Sequence, residues 1–423
     1  MTTVVTGVGV TCSIGSGVDD FEASLRRGCS GIVPDPWGSD GPPFGAVIDG
    51  FTLAGALEAR SSLPRPLLDR AERAGRRAPR PVQVAIATAL EAWQRAGLHD
   101  TPLDGERVAI VVAGNNLTTA YAEGQRASFA RNPAYLPGRF ALHVQDSDHV
   151  GTLSEVFSIR GEGFTVGGAS ASGNLAIIQA ARLLELGVVD ACLIVGALAD
   201  LTAMEMQAFV NLGAMACRRP GMPCRPAPPF HQARRGFILG QGCASLVLES
   251  EASTVRRGAR SWADVAGYAA GLDANRLANP SEAGEAAAMI RAIAHAGLEP
   301  HHIAYVNTHG SGSSLGDVTE LAALRRGLGR WFEAPWLNAT KALTGHCLGA
   351  AGVLEAAASV IQIRGEFVHP NPELDDPIDR ECRFAGAVAV HGTIPFALSN
   401  SFGFGGINTT IVFGDPRARV SST

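Results

Sequence analysis

A helix, the tripeptide Ala-Gly-Leu, a short polar loop and a strand occur together twice in this chain. In the first copy Ile86, Leu90 and Trp93 fall at helical spacing ahead of Ala96-Gly97-Leu98, and the apolar run Val108-Ala109-Ile110-Val111-Val112 follows. In the second, Met289, Ile293 and Ala296 mark a helix ending in Ala296-Gly297-Leu298, followed by Ile303-Ala304-Tyr305-Val306. The flanking pattern recurs as well as the tripeptide, which argues for duplication rather than chance. A duplicated unit of this kind directs the chain toward an α/β fold of two related halves. We set them at residues 1–250 and 251–423.

The remaining periodicities agree. Strands are predicted over residues 4–10, 192–195, 244–248, 396–398 and 410–413, and helices over 175–186 and 348–363. Strands alternating with helices imply buried, mostly parallel or mixed sheets covered by helices. The Arg- and Pro-rich residues 61–81 are predicted to be a surface excursion, and the Pro-rich residues 218–229 a loop. With 423 residues, 46% of them hydrophobic, a large core is within reach.

Several function classes are disfavoured. The net charge is −5 with no basic run, which argues against nucleic-acid binding. No apolar run is long enough to span a membrane, and the chain opens on a strand rather than a signal peptide, so a cytoplasmic protein is expected. The eight cysteines are scattered, without metal-ligand spacing, and are expected to be reduced core residues. His301-His302 follow Pro300 in a predicted loop and make no convincing metal site, so no metal is expected.

The chemistry concentrates in three small-residue segments: Gly168-Ala169-Ser170-Ala171-Ser172-Gly173, Asn307-Thr308-His309-Gly310-Ser311-Gly312-Ser313 and Lys341-Ala342-Leu343-Thr344-Gly345-His346. Ser170 stands at the N-terminus of a predicted helix, where free N–H groups and the helix dipole favour negative charge. Locally it reads as well as a simple N-cap. A hydroxyl is too weak an acid for a helix end to ionise; it would need a general base to attack a thioester. His309 and His346 both sit beside glycine, and two neutral imidazole N–H groups can stabilise a developing oxyanion. Near the end, Asn400-Ser401-Phe402-Gly403-Phe404-Gly405-Gly406-Ile407-Asn408 is glycine-rich but lacks the spacing of a dinucleotide loop. Gly312-Ser313-Ser314-Leu315-Gly316 fits the pattern of a hydrolase elbow but not its expected strand-to-helix setting. Cys347 beside His346 is expected to be a buried small residue rather than a displaced nucleophile.

Taken together these segments resemble the β-ketoacyl synthases, over nearly the whole chain. The resemblance implies a thiolase-like fold of duplicated halves in five α-β-α-β-α layers, and a homodimer. It makes His309 and His346 the decarboxylation pair. It assigns the backbone N–H groups of Ser170 and Phe404 to an oxyanion hole, with Phe404 also a gate, and places Phe237 beside the malonyl carboxylate. Lys341 and Glu320, with Asp317 nearby, would form a supporting charge network. Ser311 and Ser313, where the family usually has threonines, would bind the phosphopantetheine arm of an acyl carrier protein, and no cofactor would be bound by the enzyme itself. The departures carry information. Ser170 stands at the nucleophilic cysteine, and His231, Arg235 and Gln241 stand at positions usually acidic. A serine in place of the cysteine, with both histidines kept, resembles the stand-alone decarboxylating synthases of polyketide β-branching. Their acetyl-carrier product feeds a hydroxymethylglutaryl-synthase-like partner. The function expected is decarboxylation of malonyl-acyl carrier protein. A serine-dependent acyltransferase or condensing enzyme, and a non-catalytic partner subunit like a chain-length factor, are the alternatives.

Overall fold

The computed structural model describes residues 2–38, 41–218 and 225–418. Its main sheet is built from β1 (Thr3–Cys12), β2 (Val108–Ala113), β3 (Gly163–Val166), β4 (Ala191–Gly196), β5 (Gly242–Ser250), β6 (Ala263–Leu272), β7 (Tyr305–Asn307), β8 (Trp336–Asn338), β9 (Phe396–Gly403) and β10 (Ile407–Gly414). The strands run β8-β7-β9-β10-β6-β1-β5-β4-β2-β3 across it. Outward from the central antiparallel β1–β6 pair, both halves repeat one sequence of pairings: antiparallel, antiparallel, parallel, parallel. The register breaks at matching points too, between Val5 and Gly7 on β1 and between Val265 and Gly267 on β6.

These bulges seat two outer helices, α1 (Arg80–Arg95) on β1 and β5, and α3 (Glu282–His295) on β6 and β10. A Cβ on Gly7 would lie 2.1 Å from the Ala92 carbonyl oxygen, and one on Gly267 2.6 Å from that of Ala292. Only glycine permits either approach. The repeated Ala-Gly-Leu is the stop signal of the two helices. Gly97 and Gly297 take φ of 67° and 66°, while Leu98 N donates to Trp93 O (3.2 Å) and Leu298 N to Ile293 O (3.1 Å). Each is a left-handed C-terminal cap whose leucine turns back into the core.

Between the two halves of the sheet lie α2 (Ser172–Glu185) and α5 (Ala351–Gly365), which pack on each other and on strands of both halves. With α1 on one outer face and α3 and α4 (Ser314–Leu328) on the other, the order of layers is α-β-α-β-α. Three sequence expectations need correction or limits. Residues 61–81 are not merely an excursion. They form a helix, Arg65–Gly75, whose Leu67, Leu68 and Ala71 are buried in one cluster with α1. His301 and His302 lie in a 3-10 turn, Pro300–His302, rather than an open loop. Within the predicted loop 218–229, residues 219–224 lie outside the described residues.

Candidate active site

The central helices meet at glycines. A Cβ on Gly173 would fall 2.5 Å from Val353 N, and one on Gly352 2.6 Å from Asn174 N. This close crossing sets the turns that lead into α2 and α5 side by side. Ser170 comes from the first turn, a 3-10 segment Ala169–Ala171 entered through Ala169 at φ 49°, and His346 from the second. Ser170 Oγ lies 2.8 Å from His346 Nε2. The simple N-cap reading of Ser170 is therefore not what the hydroxyl does. Ser172 serves the turn instead, donating to Ala169 O (2.6 Å) and accepting from Gly168 N (2.8 Å).

The direction of the Ser170–His346 bond follows from the other ring nitrogen. Leu348 N donates to His346 Nδ1 at 3.2 Å, so Nδ1 holds a lone pair and the proton of the neutral ring sits on Nε2. His346 is then the donor and Ser170 Oγ the acceptor. Its backbone is paired to the single segment Ile238–Gly240: His346 N donates to Ile238 O (2.7 Å) and Gly240 N to His346 O (3.0 Å).

His309 leaves the end of β7, and its ring centroid lies 5.7 Å from that of His346 at 82°. Two buried side chains fix its main chain. Glu320 accepts from His309 N (2.7 Å) and Gly310 N (2.8 Å), and Lys341 Nζ donates to His309 O at 2.6 Å. Asn400 Nδ2 reaches the same Glu320 carboxylate at 3.2 Å. Lys341 also pairs with Glu355, which sequence reasoning missed. Asp317 braces the next turn, accepting from Gly312 N (3.0 Å) and Phe230 N (2.7 Å) beside the Arg234 guanidinium at 3.1 Å.

Burial dominates the electrostatics. It lowers both His309 and His346 well below the ordinary imidazole value, with the Lys341 ammonium adding to the effect, so both rings are neutral at pH 7. Burial raises Glu320 and Glu355 to about 7 and Asp317 to about 6, against the hydrogen bonds and cations that pull each back. The Cys347 thiol is pushed well above its usual range by burial, and the residue is 1% exposed. It lines no part of the cavity, as expected of a packing residue.

Ser170, His309, His346, Phe237 and Phe404 line one cavity of about 420 Å³, together with Ser311 and Ser313. Ser313 Oγ also accepts from Gly316 N (3.0 Å) as the cap of α4. Ser314, the serine at the elbow position of the hydrolase-like string, is the first residue of that helix and is not among the residues lining the cavity, so the string serves as a helix cap. Phe237 stands edge-on to His346 at 5.3 Å, and Phe402 to His309 at 5.6 Å. Phe209, absent from the sequence reading, links Phe237 (5.5 Å) to Phe404 (6.5 Å). At the positions that depart from the family pattern, His231 binds Asp375 (2.8 Å), and Gln241 Oε1 accepts from Ile48 N (3.1 Å) and Arg80 (3.2 Å). Among the described residues no cluster of side chains has the makings of a metal site, and no helix is long and apolar enough to cross a membrane.

A duplicated core in which the turns into the two central helices and the end of β7 bring an alcohol and two neutral imidazoles to one cavity defines a condensing-enzyme architecture. The models of the β-ketoacyl synthase N-terminal and C-terminal domains match residues 2–253 and 262–375. This chain belongs to the β-ketoacyl synthase family. It is 38% identical to the polyketide biosynthesis malonyl-ACP decarboxylase PksF of Bacillus subtilis, over 96% of this chain and 95% of that protein. It is 29% identical to 3-oxoacyl-[acyl-carrier-protein] synthase 2 of Vibrio cholerae, over 97% and 98%. Among solved structures, the ishigamide ketosynthase/chain length factor superimposes with a TM-score of 0.83 at 28% identity, covering 98% of each chain. A type II polyketide ketosynthase in complex with its acyl-carrier protein gives 0.82 at 25% identity, again over 98% of each.

Proposed function

We propose that this protein decarboxylates the malonyl group of a malonyl-acyl carrier protein in polyketide biosynthesis, leaving acetyl on the carrier. The observation that carries the reading is the Leu348 N–H on His346 Nδ1, which assigns the ring proton to Nε2. With Nδ1 occupied by the Leu348 N–H, Nε2–H points into the cavity as a donor. That is the form needed to stabilise an oxyanion and the wrong form to take a proton from Ser170. In the reaction the bond between the carboxylate and the α-carbon breaks and carbon dioxide leaves. The electron pair becomes an enolate, whose oxygen takes hydrogen bonds from His346 and His309. A proton from solvent then adds to the α-carbon and completes the acetyl group, so each turnover consumes one proton and releases one carbon dioxide. Among the described residues the cavity supplies no ammonium or guanidinium to hold the malonyl carboxylate in place, and Phe237 gives it an apolar neighbour, so the departing charge is poorly solvated. Ser311 and Ser313 present hydroxyls for the phosphopantetheine arm, and the backbone N–H groups of Ser170 and Phe404 supply further oxyanion donors. The likeness to PksF supports the same reading.

The serine-nucleophile alternative loses His346 as base to that tautomer, and His346 is the histidine bonded to Ser170 Oγ; the retained histidine pair disfavours a purely structural subunit. Ser170→Ala should keep decarboxylation within about tenfold of wild type, because it removes one acceptor worth about 1 kcal/mol net; its rate is read by intact-mass spectrometry of the carrier. Depressed imidazole pKa values make a second prediction. The neutral N–H donors persist below the ordinary value of 6.5, so kcat should show no imidazole step near 6.5; a change centred near pH 7 reports instead the Glu320 carboxyl that holds the His309 N–H.

We also propose a homodimer, to be read by light scattering; β3 ends the sheet with an edge unpaired among the described residues, which a second copy could extend. The acetyl-carrier product would serve a hydroxymethylglutaryl-synthase-like enzyme. The deciding experiment incubates the protein with malonyl-loaded acyl carrier protein and follows both masses. Conversion to acetyl-carrier without a lasting adduct supports the decarboxylase. An adduct on Ser170 would replace it with acyl transfer.

A further inference from the structure

Glu205 is the one formally charged side chain lining the catalytic cavity among the described residues. It belongs to the helix Ala203–Asn211, whose Glu205, Ala208 and Phe209 share the face turned to the cavity. Its position is fixed rather than floppy. Glu205 closes a capping box: Thr202 N and Thr202 Oγ1 both donate to Oε2 at 2.9 Å, while Glu205 N donates to Thr202 Oγ1 at 3.2 Å. Neither side-chain bond uses Oε1. Asp200 lies just ahead of the helix and outside the cavity lining; its carboxyl pKa is raised by burial and by repulsion from Glu205 and lowered by Arg80, so Glu205 alone gives the wall its charge among the described residues. Asn115 and Asn116 add two amides to the cavity lining. Their loop is clamped as well, since Asn116 N and Leu117 N each donate to Asp146 at 2.9 Å, and Asn116 holds φ at 56°.

We infer that Glu205 determines specificity: it bars long apolar acyl chains from the cavity and restricts the site to short acyl units such as malonyl and acetyl. An apolar pocket rewards each added methylene with about fourfold tighter binding. A chain laid against Glu205 would instead strip water from a carboxylate that has no cation beside it among the described residues lining the cavity, and a buried unpaired charge is strongly disfavoured. A synthase must hold a growing chain while it condenses; a decarboxylase has to hold only three carbons. The polar wall therefore accounts for selection of substrate, as the loss of the thiol accounts for loss of condensation.

The inference rests on reading this cavity as the acyl-thioester site, and its test is a binding measurement that needs no turnover. The full-length protein is titrated with acetyl-pantetheine and octanoyl-pantetheine by ligand-detected NMR, as wild type, Glu205→Gln and Glu205→Leu. Wild type should bind octanoyl no tighter than acetyl. Glu205→Leu should shift the octanoyl-to-acetyl affinity ratio at least tenfold toward octanoyl. Glu205→Gln keeps the volume and the capping box while removing the charge, and should shift the ratio about threefold. The thermal midpoint of Glu205→Gln controls for folding. An unchanged ratio in both variants overturns the inference. So does tighter octanoyl binding by wild type, or no gain of octanoyl binding by either variant. Failure of malonyl decarboxylation with the predicted shift in ratio would instead count against the proposed reaction alone.

Discussion

His346→Ala should lower kcat for malonyl-carrier decarboxylation by 10²- to 10³-fold with little change in KM. Removing one preorganised oxyanion donor costs about 2.7–4 kcal/mol of transition-state stabilisation. His346 qualifies as such a donor because its orientation and tautomer are both imposed from outside the ring. Ile238 and Gly240 hold its backbone, and the Leu348 N–H occupies Nδ1. The substitution leaves those backbone bonds intact. It strands the Leu348 N–H and empties the space beside Phe237, a loss of about 1–3 kcal/mol in stability, so the fold should survive. His309→Ala should act in the same direction. Rates are read by intact-mass spectrometry of the carrier, with thermal midpoints as control, and unchanged kcat in both variants would sink the mechanism. Set beside Ser170→Ala the comparison is sharper: an oxyanion role predicts a large loss at His346 and a small one at Ser170, whereas a Ser–His nucleophile predicts large losses at both.

What the sequence made legible depended on whether the information was local. The Ala-Gly-Leu stop signals could be read because a left-handed cap followed by a buried leucine is written in three adjacent residues, and the structure shows the cap in both copies. Ser170, His309 and His346 stood out because each lies in a run of small residues, and the structure brings all three to one cavity. Glu355 did not stand out. Its importance comes from Lys341, on a separate segment, and the only local hint was a lone carboxylate in an otherwise apolar stretch of α5. Leu348 could not have been found from its side chain, because its backbone N–H is what sets the His346 tautomer. Phe209, Asn115, Asn116 and Glu205 reach the cavity from segments far from the three motifs, and helical spacing of Glu205, Ala208 and Phe209 was the only pattern available. The Arg-rich residues 61–81 misled in the opposite direction. Charge and proline suggested an excursion, yet Leu67, Leu68 and Ala71 recur at helical spacing and are buried.

Lys341→Met should destabilise the protein by about 3–5 kcal/mol and lower kcat at least tenfold, through two separate consequences of one lost ammonium. The first is energetic. Lys341 and Glu355 are both buried, and deleting the cation leaves a carboxyl group with no counter-charge. Burial already raises Glu355 from 4.5 to about 7 while Lys341 pulls it down, so without Lys341 it must rise further. A folded pKa above the unfolded one gives stability that is present at low pH and lost as pH rises through the folded value. The deficit of the variant should therefore be larger at pH 8 than at pH 6, which urea denaturation at the two pH values measures. The second consequence is geometric. Lys341 Nζ holds the His309 carbonyl at 2.6 Å, and Glu320 holds the N–H groups of His309 and Gly310 from the other side. Freed at one end, the imidazole loses the fixed orientation that an oxyanion donor requires. The double variant Lys341→Met/Glu355→Leu separates the two effects. Replacing both members of a buried pair with apolar groups should recover most of the stability, because no charge is left stranded. It cannot restore the bond to the His309 carbonyl, so kcat should stay low. Recovery of activity along with stability would mean that Lys341 serves only the packing of α5 and has no part in positioning His309.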